Sequence, residues 1–161
     1  MTLMLLTGAG ATAVTDAWAV LRKGLFGTPL PNFAMVGRWV GHLAHGRLRH
    51  ESIAATPPIR MERALGWIVH YAIGMGFALL LPVFWGLDWI RQPTLGPALI
   101  VGIATVVAPL FVMQPAMGAG IAASRTPRPG AARVQSLITH FVFGAGLYAA
   151  AVVISSLSTG G

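Results

Sequence analysis

The chain has no cysteine and few charged side chains. Of its 161 residues, 9% are charged, 55% are hydrophobic and none is cysteine. The absence of cysteine excludes disulfide bonds and thiolate metal sites. Soluble domains carry about 25% charged residues, and a soluble fold of this length cannot bury so much apolar side chain. The composition therefore indicates an integral membrane protein.

The residue patterns of several enzyme classes are also missing. The sequence has no catalytic triad, no paired acids at glycosidase spacing, no phosphate-binding loop and no H-E-x-x-H motif. The net charge of +7 would suit a nucleic-acid partner in a polar protein. Here the basic residues lie in gaps between apolar segments, a pattern typical of membrane topology. We therefore expect a non-enzymatic protein that does not bind nucleic acid.

Four segments are long enough to cross a bilayer core, which takes about 20 mainly apolar residues. Polar breaks that contain proline separate them. The first segment is followed, not preceded, by basic residues, which favours a retained anchor over a cleaved signal peptide. The predicted spans are Thr2 to Leu21, Ala64 to Trp85, Leu95 to Ala116 (with an apolar continuation to Ala123) and Val134 to Leu157.

Ten of the eleven lysines and arginines lie in two of the gaps. The positive-inside rule predicts that these two gaps face the cytoplasm and its lipid headgroups, with both termini outside. The first gap holds Arg22, Lys23, Arg38, Arg47, Arg49, Arg60 and Arg63, and the last gap holds Arg125, Arg128 and Arg133.

The sequence contains an internal repeat. "RALGWIVHYAIGMG" (63–76) matches "RVQSLITHFVFGAG" (133–146) at an offset of 70 residues, and "ATAVTDAW" (11–18) matches "ATVVAPLF" (104–111) more weakly at 93. This pattern predicts two parallel two-helix repeats, about 2–86 and 95–158, within one membrane domain over 1–161. The unequal offsets leave extra residues in the first half. We predict that they form a cytoplasmic amphipathic insert at about 31–56.

The repeat places one histidine in each half, His70 and His140, at matching depth. An ionisable residue inside a membrane is a functional hypothesis by default. If the two imidazoles face each other, they would ligate a metal ion or the iron of a haem, or relay protons. Alternatively, each histidine donates a hydrogen bond to a neighbouring helix and stabilises the bundle.

Two further polar side chains lie within predicted spans. Asp16 either faces one of the two histidines or pairs with Arg22 or Lys23 near the helix end. Gln114 lies where prolines interrupt the third span, and broken membrane helices often line cavities. These two residues suggest a path for a small solute or an ion.

The predicted insert contains three histidines, His42, His45 and His50, followed by Glu51. Three imidazoles and a carboxylate would suit a metal ion. The alternative is an amphipathic helix on the membrane surface, with its basic and histidine-rich side toward anionic headgroups.

Three stretches carry a family resemblance: "VGRWVGHLAHGRLRHESIAATPPI", "ERALGWIVHYAIG" and "MQPAMGAGIAASRTPRP". They resemble the bacterial family named domain of unknown function 2938, and the resemblance covers nearly the whole chain. It implies a small bacterial multi-span membrane protein, and we expect this protein to lie in the inner membrane. It implies no activity, cofactor or site residue.

Three functions are compatible with these observations. The first is a non-enzymatic subunit of a homo-oligomer or a larger membrane complex, because the many glycines allow close helix packing. The second is a bundle that binds haem, a metal ion or quinone through His70 and His140. The third is a carrier of small solutes or ions, with Asp16 and Gln114 lining its path.

Overall fold

The computed structural model describes residues 1–159, and this part of the chain is helical, without a β-strand. In order, it contains α1 (Thr2–Phe26), α2 (Phe33–Leu43), α3 (Glu62–Ala78), α4 (Leu80–Trp85), a 3₁₀ turn (Leu87–Ile90), α5 (Leu95–Ala104), a π-helical segment (Ala108–Met113), α6 (Gln114–Ala116), a second 3₁₀ turn (Ile121–Ala123) and α7 (Pro129–Thr159).

The four predicted spans are confirmed as helices long and apolar enough to cross a membrane. They are Thr2–Phe26, Glu62–Trp85, Leu95–Ala116 and Pro129–Leu157. The first helix continues past its predicted end, so Arg22 and Lys23 belong to it. It ends at Phe26, and the next residue, Gly27, has a left-handed φ of 63° and donates its N–H to the Lys23 carbonyl at 3.0 Å. Glycine accepts this conformation without the steric cost that a side chain would add.

Prolines explain the irregular points within the spans. The second span is interrupted at Leu79, between α3 and α4. Pro82 has no N–H, and its ring crowds the carbonyl four residues earlier, which disrupts a continuous helix there. The third span widens into a π-helical segment that starts beside Pro109, and Pro115 follows in α6. Such widened turns occur mostly as single insertions within helices.

The chain divides into two compact units. The bundle unit comprises Met1–Leu30, Tyr71–Thr105 and the described residues from Ile138 to Thr159. The loop unit comprises Pro31–His70 and Val106–Leu137. The bundle unit contains the main apolar core, formed by Met4, Ala11, Ala78, Leu81, Trp89, Ala98, Val101, Phe143, Leu147 and Ala151.

Glycines allow helix backbones to touch inside the bundle unit. A Cβ on Gly8 of α1 would lie 2.6 Å from the Cα of Met75 on α3. A Cβ on Gly102 of α5 would lie 2.5 Å from the Cα of Gly144 on α7. These distances are too short for any side chain, so both positions require glycine. The close packing predicted from glycine content thus occurs within the chain.

Candidate functional site

The loop unit is built on a close crossing of α2 and α3. A Cβ on Gly37 would collide with the carbonyl oxygen of Glu62, and one on Gly66 would collide with that of Phe33. The two helices therefore make backbone contact, which only glycine permits. All α2 side chains are buried or partly buried. Helix α2 is thus an integral part of the loop unit.

Arg38 connects α2 to α3 and to the loop between them. Its Nε and Nη2 atoms donate to the two carboxylate oxygens of Glu62, each at 2.8 Å. Its Nη1 donates to the carbonyl oxygens of Ile53, Ala54 and Thr56, at 3.2, 3.3 and 2.9 Å. The paired geometry is the strong form of an arginine–carboxylate bond, and the hydrogen bond to Glu62 raises the pKa of Arg38 above its usual value. Arg38 therefore organises the loop, unlike the exposed arginines of the same gap.

The loop that follows α2 is joined by its backbone to the irregular end of the third span. The N–H of His50 donates to the Ala116 carbonyl at 2.8 Å, and the N–H of Ile53 donates to the Met117 carbonyl at 3.0 Å. A Cβ on Gly118 would collide with the Glu51 carbonyl, and Gly118 has a left-handed φ of 95°. Two segments that are far apart in sequence therefore form one folded surface.

The geometry around His50 fixes its tautomer. The Thr56 hydroxyl donates its single hydrogen to the Ser52 carbonyl at 2.9 Å. It must therefore accept the hydrogen bond from Nδ1 of His50, at 3.1 Å. In the neutral imidazole, Nε2 of His50 then carries the lone pair, and this atom is buried without a hydrogen-bond partner in the structure. His42 lies beside it, with ring centroids 5.3 Å apart, and donates from Nε2 to the Pro57 carbonyl at 3.1 Å.

The third histidine of the predicted metal cluster has a different environment. His45 is exposed in the turn that follows α2, and its Nδ1 lies 3.0 Å from the carbonyl of Gly41 in α2. Within residues 1–159, no group of three or more histidines or acids is placed to hold a metal ion. The loop unit thus brings His42 and His50 together, while His45 bonds locally.

Protonation of His50 is expected to loosen the loop as the pH falls. Burial, with the nearby charges of Arg47 and His42, lowers the pKa of His50 below its usual 6.5. The unfolded loop therefore binds the proton more readily, and the stability of the folded loop is lost as the pH falls below about 6.5. We expect hydrogen exchange of residues 50–56, corrected for intrinsic rates, to rise by up to about tenfold at pH 5.5 relative to pH 7.5. The variant His50→Asn should lose this pH dependence and His45→Asn should keep it; an unchanged profile in His50→Asn would assign the effect to another group.

The exposed surface of the loop unit is strongly basic. The structure describes every residue of this unit, and its one fully exposed acid is Glu51. One exposed arginine, Arg133, is held by the fold, because its Nε donates to the carbonyl of Ala122 at 2.8 Å. Ala122 lies in a turn and has a left-handed φ of 49°. The exposed arginines are Arg47, Arg49, Arg60, Arg63, Arg125, Arg128 and Arg133.

The two histidines of the repeat lie in different units and have different surroundings. In the loop unit, the His70 ring stacks on Phe33, with centroids 4.1 Å apart. In the bundle unit, Nδ1 of His140 lies 3.1 Å from both the Thr105 hydroxyl and the Gly102 carbonyl. The Thr105 hydroxyl itself donates to Gly102 at 2.7 Å. His140 must therefore carry a hydrogen on Nδ1, and in the neutral imidazole the lone pair lies on Nε2.

The remaining predicted site residues also fall in separate units. In the bundle unit, Asp16 accepts a hydrogen bond from the Tyr71 hydroxyl at 3.0 Å. In the loop unit, Gln114 follows the π-helical segment, and its Oε1 atom is buried without a hydrogen-bond partner. No local sequence pattern indicated the roles of Tyr71 and Thr105, because the partner of each residue is distant in the chain.

These features define a helical protein with four helices long and apolar enough to cross a membrane and with an ordered, arginine-rich loop unit. Residues 5–154 match a family model described as "Protein of unknown function (DUF2938)". The chain therefore belongs to this family, as its sequence motifs suggested. No curated protein and no solved structure matches the chain.

Proposed function

We propose that the chain is a bacterial inner-membrane protein with both termini outside and the loop unit in the cytoplasm. The support is the distribution of charge. The loop unit contains eight of the eleven basic residues, and seven of these eight are exposed. Basic loops are retained on the cytoplasmic side during insertion. The four apolar helices supply the even number of crossings that this topology requires.

The predicted duplication is part of this proposal. The bundle unit contains two glycine-mediated helix crossings. The repeat offsets of 70 and 93 residues relate the glycines of the first crossing to those of the second to within about one residue. Gly74 of α3 lies against Gly8 of α1, and Gly144 of α7 lies against Gly102 of α5. In each pair, the glycine of the later helix follows the repeat histidine by four residues. Duplication of one two-helix hairpin accounts for this correspondence.

The function that the geometry supports best is that of a non-enzymatic subunit of a larger membrane complex. The observation that carries this proposal is the ordered basic surface of the loop unit. Arg38 and Glu62 hold its loop in place, so the exposed arginines project from a fixed backbone. A preorganised surface binds a partner with a smaller entropic cost. We expect the partner to be an acidic cytoplasmic segment of another membrane protein.

A second copy of the chain is a poorer match for this surface. The chain contains only four acidic residues. Glu62 is bound to Arg38 and Asp16 accepts a hydrogen bond from Tyr71, so two of the four already have roles within the fold. Complementary charge steers association and selects partners. The charge balance therefore favours a different, acidic protein over a homo-oligomer.

Purification from the native membrane in mild detergent tests this function. We expect native mass spectrometry to find the wild-type chain with one stoichiometric acidic partner. The triple variant Arg47→Ala, Arg49→Ala, Arg60→Ala should retain at least about tenfold less partner, because charged hydrogen bonds contribute about 1.5–3 kcal/mol each.

Arg91→Ala is the matched control, since Arg91 is exposed and lies in the short gap outside the loop unit. It should leave the partner bound. A wild-type chain that is monomeric in native membranes, or equal partner recovery from the triple variant and the control, would refute the proposal.

His140 favours a second candidate function, the binding of haem, a metal ion or quinone within the bundle. Its Nδ1–H is held by Thr105 and Gly102, which leaves Nε2 available as a ligand atom. Metal-binding histidines usually have their other nitrogen held in this way. An absorption spectrum and metal analysis of chelator-free protein test this idea. A bound chromophore or metal that His140→Phe removes and His45→Asn retains would support it; colourless, metal-free protein that does not bind added haem would exclude haem and tight metal binding.

A further inference from the structure

Arg22, on α1 in the bundle unit, is a buried cation with unused donors. Its relative exposure is 8%, and its Nε and Nη1 atoms have no hydrogen-bond partner in the structure. Arginine remains charged in proteins and carries five N–H donors. A buried charge without a partner is costly, so such a residue usually has a counter-ion or a ligand.

Trp18 presents another unused donor one turn earlier on the same helix. Its Nε1 atom is buried without a hydrogen-bond partner. The i, i+4 spacing places Trp18 and Arg22 on one face of α1, with Cβ atoms about 5–6 Å apart. Helical side chains lean toward the N-terminus, so the long Arg22 side chain extends over the turn that contains Trp18. Two residues therefore offer N–H groups on one face without an acceptor.

The acid of α1 does not neutralise this face. Asp16 lies six residues before Arg22, which on a helix of 3.6 residues per turn places it on a different face. Its Oδ2 accepts the hydrogen bond of Tyr71. The Trp18 and Arg22 donors thus require an acceptor with several lone pairs and a negative charge. Phosphate and carboxylate have this chemistry.

The surroundings indicate that the acceptor belongs to an amphiphile. Two large apolar side chains that lie near the face of Trp18, one turn before and one turn after it, and on the bilayer side of Arg22 are exposed: Val14 at 39% and Leu21 at 52%. In a bilayer these side chains contact acyl chains, and tryptophan is enriched at the interface where lipid headgroups lie. The C-terminal end of a helix disfavours anions, so the guanidinium and indole donors must supply the binding.

We propose that Trp18 and Arg22 form a binding site for the phosphate group of an anionic membrane lipid. The guanidinium supplies charge and at least two N–H donors, and the indole supplies a third. The exposed side chains of Val14 and Leu21 contact the acyl chains. This site lies in the bundle unit and does not depend on the arginine surface of the loop unit or on its partner.

Native mass spectrometry of delipidated protein tests this site, with added phosphatidylglycerol, phosphatidylcholine or inorganic phosphate as the probe. We expect the wild type to retain phosphatidylglycerol, and Arg22→Gln to retain at least about tenfold less, because it loses a charged hydrogen-bond pair. Trp18→Phe keeps the ring but loses the N–H, and should retain about fivefold less. Arg22→Lys tests the guanidinium fork, and this variant should bind more weakly than wild type even though it keeps the charge.

Lys23→Gln is the matched control, because Lys23 is the adjacent exposed cation on α1. It should retain lipid within about twofold of wild type, as surface charges contribute little. Equal losses in Arg22→Gln and Lys23→Gln, or equal retention of phosphatidylcholine and phosphatidylglycerol, would overturn the site. Binding of inorganic phosphate without retention of lipid would overturn the lipid assignment. If Arg22→Gln does not fold, Trp18→Phe and Arg22→Lys decide between these outcomes.

Discussion

Gly8→Ala is expected to destabilise the protein by about 1–3 kcal/mol, as overpacking does in a filled core. The added Cβ would lie 2.6 Å from the Cα of Met75 and 2.8 Å from the carbonyl oxygen of Gly74. Both are backbone atoms, so the clash is relieved only if α1 and α3 move apart. Unfolding of the purified protein by SDS in mixed micelles measures the loss.

The matched controls are glycines of the same two helices that face open space. No atom lies within 4 Å of a Cβ built on Gly24 of α1 or Gly76 of α3. Gly76→Ala should stabilise the helix by about 0.5–1 kcal/mol, because alanine has the higher helix propensity. Gly24→Ala, near the helix end, should be neutral or slightly stabilising. A loss in Gly76→Ala as large as in Gly8→Ala would show that the crossing is not where the structure places it.

Arg38→Ala is expected to release the loop that follows α2. The substitution removes five hydrogen bonds, two of them to Glu62. It also leaves the Glu62 carboxylate, with a side-chain exposure of 17%, without its counter-charge. Loss of one partner from a paired, poorly solvated charge is strongly destabilising. Since proteolysis follows the population of the open loop, trypsin should cleave after Arg47 and Arg49 at least about tenfold faster.

Arg63→Ala is the control for this prediction, because Arg63 is an exposed arginine one residue after Glu62. It should leave the cleavage rate at the loop unchanged. The double variant Arg38→Met, Glu62→Met tests whether the charge left on Glu62 causes the effect, because it removes both partners. Trypsin should cleave its loop more slowly than that of Arg38→Ala. Equal cleavage rates in wild type and Arg38→Ala would contradict the assigned role.

The four spans were predictable because bilayer thickness sets the length of apolar helix required. The end of the first span was less predictable. Hydropathy falls at Arg22, yet the backbone continues to Phe26, where the next residue is a glycine that can end the helix. From its charge, Arg22 was predicted to lie after the end of the span. In the structure the helix continues through Arg22, and this side chain is buried.

The loop unit was less predictable, because its contacts join distant segments. Arg38 and Glu62 are 24 residues apart, and no local pattern distinguishes this arginine from the exposed ones. The histidine cluster was apparent as composition, but the pairing of His50 with Thr56 depends on how the loop folds. The glycines were apparent as helix-contact residues, whereas their partners, such as Gly66 with Phe33, required the structure.

The topology of the basic loop unit is the central claim, and cysteine labelling in intact cells tests it most directly. The chain has no cysteine, so single cysteines report one position each. Ser52 and Ser124 are exposed in the loop unit, and Gln92 is exposed in the short gap between the second and third spans. With a membrane-impermeant maleimide, we predict that Gln92→Cys reacts in intact cells, whereas Ser52→Cys and Ser124→Cys react only after lysis. Labelling of Ser52→Cys in intact cells, with Gln92→Cys protected, would contradict the account.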